Sequence, residues 1–234
     1  MNFKGQTVMI TGAAGNLGQA VAAAFAVAGA NLALLDLNDA SLAKVQTAGA
    51  GDVLRQRVDL SDPASIAGAI GAAIARFGRV DALCNLAGGF HMGEKVHEIP
   101  ADKWDFMMEL NAGSVLRMSG AVVPHMLKAG GGRIVNIGAY AALSGKAEMA
   151  AYVASKSAVI RLTESMAAEL RSHNINVNCV LPSIIDTPQN RAAMPKADPK
   201  RWVAPEALAD VLLFLCSPAA RAIHGAAIPV VGLS

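Results

Sequence analysis

Short runs of Val, Ile, Leu and Ala punctuate the chain, each bounded by Gly, Pro, Asp or Asn, and longer alanine-rich stretches separate them. Seven runs read as strands: residues 7–11 (TVMIT), 30–36 (ANLALLD), 52–59 (DVLRQRVD), 80–88 (VDALCNLAG), 132–138 (GRIVNIG), 175–182 (INVNCVLP) and 226–232 (AAIPVVG). The intervening stretches predict helices near 16–28, 39–48, 62–76, 102–128, 149–172 and 205–216, with start signals in SDP at Ser61 and APE at Ala204. Strand and helix alternate throughout, so the expected fold is α/β: one doubly wound, Rossmann-like parallel sheet of about seven strands, with helices on both faces. No linker, repeat or low-complexity segment divides residues 1–234. A ligand site is expected beyond the carboxyl ends of the strands.

Composition narrows the classes. At 53% hydrophobic and 16% charged, the 234 residues can bury a sizeable core and cannot be a disordered chain. The net charge of +2 is scattered, with no basic stripe for nucleic acid or an anionic membrane. Cys84, Cys179 and Cys216 are odd in number, far apart and set in apolar runs, which reads as buried thiols in a reducing compartment. The five histidines lack the i,i+4 spacing of a helical zinc site, so no metal is expected. MNFKGQTVMI has no long apolar leader core, and the cytoplasm is the expected location. The apolar residues 20–35 are interrupted by Gly29 and Asn31 and end at Asp36, which reads as helix, turn and strand rather than a membrane span.

The chemistry begins at TGAAGNLG, where Gly12, Gly15 and Gly18 fall in the turn from the first strand to the first helix. Glycines there admit close backbone approach and tight helix packing, while the N–H groups that open the helix face an anion; a purely structural tight turn is the competing explanation. Asp36 ends the second strand, 18 residues beyond Gly18, where a carboxylate would accept hydrogen bonds from an adenosine ribose. The same charge would repel the 2′-phosphate of NADP, and Ala13, Ala14 and Leu37 supply no compensating cation, so NAD is favoured over NADP. In YVASK, Tyr152 and Lys156 stand one helical turn apart, and a close cation would lower the phenol's pKa into a working range for acid/base chemistry.

These features occur in a fixed order with VDL at Val58, NLAG at Asn85, LNAG at Leu110, GRIVNIG and LPSIIDTP, and the whole chain resembles a classical short-chain dehydrogenase/reductase. The resemblance implies that Gly12, Gly15, Asn16, Leu17 and Gly18 cradle the dinucleotide, that Asp59 and Leu60 border its adenine, and that Asn85, Ala87 and Gly88 support it. It implies Pro182, Ile185 and Thr187 at the nicotinamide, Tyr152 as acid/base, and Lys156 on the nicotinamide ribose, tuning Tyr152. Asn111 would hold a water in a proton relay, residues 189–202 would form a substrate lid, and the chain would assemble as a homodimer or homotetramer.

Three positions depart from the family pattern. Thirteen residues before Tyr152, where a serine usually steadies the substrate oxygen, stands Ala139, with Ser144, Tyr140 or a water as substitute donors. Ser183 replaces a glycine after Pro182, and Asn16 replaces one in the glycine turn, where Asn tolerates left-handed backbone and Gly15 could supply the flexibility instead. The expected activity is hydride transfer between NAD(H) and a secondary alcohol or ketone. The alternatives are a nucleotide sensor or scaffold, motivated by Ala139, and a sugar-nucleotide epimerase, suggested by GxxGxxG but opposed by the 46 residues after Pro188, too few for a second domain.

Overall fold

The computed structural model describes all residues, Met1–Ser234. Strands β1 (Thr7–Thr11), β2 (Asn31–Asp36), β3 (Val53–Arg57), β4 (Ala82–Asn85), β5 (Gly132–Ile137), β6 (Ile175–Pro182) and β7 (Ala227–Val230) form one sheet in the order β3-β2-β1-β4-β5-β6-β7. Every pairing is parallel. The chain winds outward from β1 to β3, returns to β4 beside β1, and winds outward the other way, which opens a crevice between the carboxyl ends of β1 and β4.

Helices α1 (Asn16–Val27), α3 (Pro63–Phe77), α5 (Ser114–Ala129), α6 (Ala150–Leu170) and α8 (Pro205–Cys216) cover the two faces. Alternation along each strand sorts the side chains between two cores. Val8, Ile10, Leu32 and Leu34 pack with Val21, Phe25, Leu208 and Leu212, from α1 and α8. Met9, Ala33, Leu35 and Leu83 pack with Ile66, Ile70, Met118 and Val122, from α3 and α5. Each of these buried Leu or Ile side chains contributes roughly 1.5–3 kcal/mol of burial, so both faces are strongly specified. No helix is long and apolar enough to cross a membrane.

Two helical expectations are corrected. The stretch 39–48 holds only the short α2 (Asp39–Leu42), begun by Asn38 Oδ1 accepting from Ser41 N at 3.0 Å. Beyond it the bonds tighten to i→i−3 at Lys44 and Val45, Arg55 donates to the Val45 carbonyl and the Thr47 hydroxyl, and Gly49 turns at φ +94°. The stretch 102–128 is not one α-helix: α4 (Ala101–Met108) passes through a π-helical turn at Glu109–Gly113 before α5 begins. The segment 189–202 lies in α7 (Pro188–Ala193), capped by Thr187, and a 3₁₀ turn at Pro199–Arg201, and ends at the buried Trp202.

Candidate active site

Main-chain packing fixes the glycine turn. Gly12 adopts φ +66°, and a Cβ there would lie 2.9 Å from the Ala87 backbone, so the turn after β1 touches the strap that leaves β4. A Cβ on Gly18 would collide with the carbonyl of Gly12. Thr11 ties the two segments together, its Oγ1 accepting from the N–H groups of Leu86 (3.1 Å) and Ala87 (3.3 Å). The left-handed residue is therefore Gly12. Gly15 is extended at φ −70°, and Asn16 is the first residue of α1, so neither supplies left-handed flexibility. Asn16 has a different contact: its Nδ2 donates to Gln189 Oε1 of α7 at 2.8 Å.

Beside this turn lies a cavity of about 590 Å³, lined by Gly12, Gly15, Asp36, Asp59, Leu60, Ala87 and Gly88 among others. Asp36 is oriented by two main-chain donors, Ala14 N to Oδ2 (3.0 Å) and Asn38 N to Oδ1 (3.1 Å). The carboxyl of Asp59 is held below its usual range, chiefly by the hydroxyl and N–H of Ser61 (2.6 and 2.8 Å). The far wall comes from residues that the sequence reading missed: Phe106, Glu109, Ser114 and Arg117. Arg117 donates to the carbonyl of Leu60 (2.6 Å) and to Glu109 Oε2 (2.7 Å), in space that a side chain at Gly113 would occupy. A cation beside Asp36 was missed too: β2 and β3 pair Asp36 with Arg57, whose Nε donates to the Leu37 carbonyl at 3.2 Å.

The other predicted cofactor residues lie outside this cavity. Asn85 is buried behind it, donating to Asn136 Oδ1 at 2.9 Å while its own Oδ1 has no partner; Asn136 in turn donates to Thr163. Leu17 packs on the core, and Gly18 lies beneath the turn. Pro182 ends β6, Ile185 bridges to Val203, and the Thr187 hydroxyl accepts from Asn190 N at 3.2 Å. Ser183 is accounted for by the carboxyl-terminal strap: its hydroxyl donates to the Val231 carbonyl at 2.9 Å and contacts the Ser234 hydroxyl at 2.7 Å.

The polar cluster begins where the cavity ends. A Cβ on Gly88 would stand 2.7 Å from Asn111 Oδ1 and 3.0 Å from Lys156 Nζ, so the missing side chain joins the two regions. Asn111, fully buried in the π-helical turn, accepts from Gly89 N (2.9 Å) and donates to Gly89 O (3.1 Å) and Ser155 Oγ (2.9 Å). Both amide hydrogens are thus committed to protein, and Ser155 in turn donates to the Tyr152 carbonyl at 2.8 Å. Lys156 is buried, donates to the Ile137 carbonyl at 2.8 Å, and is pushed down to about 8 by desolvation.

Tyr152 departs from expectation. Burial pushes its phenol up to about 12, rather than the nearby ammonium drawing it down. Phe90 stands edge-on to it, with ring centroids 4.9 Å apart. Ala139 is 3% exposed and packs with Ala112, Val159, Ile160 and Leu181, in a cluster that Tyr152 also touches. Ser144 is exposed and Tyr140 is 46% exposed, and neither hydroxyl makes a hydrogen bond.

Residues 6–198 match the family described as short chain dehydrogenase. The D-threitol dehydrogenase of Mycolicibacterium smegmatis is 33% identical over 240 residues, covering 97% of this chain and 92% of its own. A 7alpha-hydroxysteroid dehydrogenase of Escherichia coli strain K12 is 34% identical, covering 99% and 95%. An NAD+-bound xylitol dehydrogenase superposes with a TM-score of 0.92 at 28% identity, covering 99% of this chain and 100% of its own.

Proposed function

The chain belongs to the short-chain dehydrogenase family, and from that premise we propose that it is an NAD(H)-dependent oxidoreductase acting between secondary alcohols and ketones. The observation that carries this reading is the placement of Tyr152 and Lys156 on α6, with Lys156 adjoining Gly88, where the nucleotide-sized cavity ends. In this reading Gly12, Gly15, Asn16, Leu17 and Gly18 form the dinucleotide turn, Asp36 takes the adenosine ribose, and Asp59 with Leu60 borders the adenine. Ala87 and Gly88 wall the cofactor with Asn85 behind them, and Pro182, Ile185 and Thr187 lie toward its nicotinamide end. When bound, the nicotinamide supplies or accepts hydride.

Tyr152 moves the proton. With its pKa near 12 it is a phenol at neutral pH, primed to donate to a carbonyl oxygen. Lys156, near 8, is an ammonium below that pH and supplies the positive charge that the phenolate needs. Asn111 acts as a positioning residue, binding the Gly89 strap to Ser155 and, through it, to the first turn of α6. Tyr152→Phe should lower kcat by about 10²–10⁴-fold, with NADH affinity measured by fluorescence nearly unchanged. Turnover near the parent rate would remove Tyr152 from its role.

Asp36 supports NAD over NADP, since its carboxylate lines the cavity where a 2′-phosphate would need a cation. Arg57, paired with Asp36 across β2 and β3, is the group that could weaken this preference. Affinities for the two cofactors measured side by side test it, and equal values would refute the use of Asp36. Exposed Trp104, Phe106 and Leu116 on α4 and α5 support association into a dimer or tetramer. A sensor or scaffold is the second reading, favoured by the apolar burial of Ala139; turnover on a panel of alcohols and ketones would eliminate it.

A further inference from the structure

The surroundings of Tyr152 restrict what can be reduced there. Two loops flank it, and they expose large apolar side chains: Phe90 (58%) and Met92 (49%) from one, Tyr140 (46%) and Leu143 (55%) from the other. Gly93 N donates to the Glu148 carbonyl at 2.8 Å, joining the first loop to the segment that follows Leu143. Ser157 on α6 donates to the Ala142 carbonyl at 2.9 Å, fixing the second loop against the helix that carries Tyr152. Phe90 in contact with Tyr152, and exposed apolar groups on two loops tied to α6 and to each other, offer a surface that binds apolar matter.

Polar recognition is scarce at the same place. His91 and Glu94 are spent on each other at 2.7 Å. The hydroxyls of Ser155 and Ser157 are committed to main-chain carbonyls, the amide of Asn111 to Gly89 and Ser155, and Lys156 to Ile137. Tyr152 packs against the apolar cluster that includes the methyl of Ala139, which offers no donor. A carbonyl oxygen turning into an alkoxide therefore meets one donor that is both uncommitted and held within the packed site, the Tyr152 hydroxyl, since the free hydroxyls of Tyr140 and Ser144 stand in solvent. With so little stabilisation from the protein, the developing charge has to be spread within the substrate itself.

We propose, resting on the oxidoreductase reading above, that the substrate is a ketone with an aryl or alicyclic body whose carbonyl is activated by its own electron-withdrawing substituent. In the reducing direction the C=O π bond breaks, the carbonyl carbon gains hydride from the reduced nicotinamide, and the oxygen gains the Tyr152 proton. Water reprotonates the phenolate. Small polyols, which need many hydrogen-bonding partners, are poor substrates.

Acetophenones carrying 4-nitro, hydrogen or 4-methoxy, with dihydroxyacetone as the polar comparator, test this in the wild type, Ala139→Ser and Phe90→Ser. NADH consumption gives the rates, and saturation-transfer NMR of the acetophenone methyl in the presence of NAD+ gives binding without turnover. In the wild type kcat/KM should fall by about 100-fold from nitro to methoxy. In Ala139→Ser the series should flatten to under about tenfold, with unsubstituted acetophenone gaining about 10²-fold, the scale of one restored donor. Phe90→Ser should weaken the NMR signal about tenfold with the cofactor affinity unchanged, the cost of losing one buried aromatic contact. Equal slopes in wild type and Ala139→Ser, dihydroxyacetone outpacing every aryl ketone, or an NMR signal indifferent to Phe90 would overturn the substrate class. If no ketone is reduced although NADH and acetophenone both bind, the oxidoreductase reading itself fails, and the NMR signal separates that outcome from a wrong substrate class.

Discussion

The cavity side of the crevice and the Tyr152 side are built from different materials. Main chain makes the first: Gly12 against Ala87, Gly18 beneath Gly12, and carboxylates at Asp36 and Asp59 oriented mainly by N–H groups close by in sequence or on the adjoining turn. Buried side chains from distant segments make the second, where Asn111, Gly89, Ser155, Tyr152 and Lys156 depend on one another. The first tolerates change at exposed atoms but not at a missing Cβ. The second is sensitive to charge and to the loss of any single hydrogen-bonding group.

That contrast is most directly broken at Gly18. In Gly18→Val the new side chain must enter the space of the Gly12 carbonyl, so denaturant unfolding should show a loss above about 3 kcal/mol, together with lost NADH binding. A stable, cofactor-binding variant would show that the turn is not backbone-limited.

Lys156→Met probes the other side through pH. Because the folded pKa of Lys156 lies below its unfolded value of 10.5, the unfolded chain binds the extra proton between about 8 and 10.5, and stability contributed by this group rises with pH across that window. Tyr152 has the opposite sign. Its folded pKa lies above 10.0, so its contribution is present below that pH and is lost as pH rises toward about 12. Subtracting the Lys156→Met stability profile from that of the wild type should reveal the rise between pH 8 and 10.5, worth up to about 3 kcal/mol. A flat difference would mean that Lys156 is not desolvated.

Asn111→Ala leaves the Gly89 N–H without its partner and should cost about 2 kcal/mol in stability and lower kcat more than it changes cofactor affinity. A loss confined to affinity would place Asn111 with the cavity side instead. Asn16→Ala removes one exposed hydrogen bond to Gln189 and should change stability by no more than about 0.5 kcal/mol, while increasing proteolytic cleavage within residues 188–193. An unchanged cleavage rate would mean that this contact does not steady α7.

Much of this was legible in the chain. The apolar runs and their punctuation locate all seven strands: 7–11 and 175–182 match β1 and β6 end to end, and the other five are trimmed by one to five residues where pairing ends, as in 80–88 against Ala82–Asn85. Gly12, Gly15, Asp36, Asp59, Leu60, Ala87 and Gly88 fall together around one cavity. Arg117 and Glu109 were not legible there, because they meet across a π-helical turn that i,i+4 spacing does not describe. Arg57 was missed because its neighbour, Asp36, lies on another strand, and register is invisible in either segment alone.

Periodicity and motif order determined the parallel doubly wound sheet, the glycine turn and the spacing that sets Tyr152 and Lys156 one helical turn apart, since these depend on residues close in sequence or on a pattern repeated along the chain. Tertiary structure alone decided that Tyr152 is held as a phenol, that the Asn111 amide is spent on Gly89 and Ser155, and that Ala139 faces an apolar cluster. A pKa and a free hydrogen-bonding group depend on what packs around an atom, and those neighbours are brought together by the fold from β4, β5, the π-helical turn and α6.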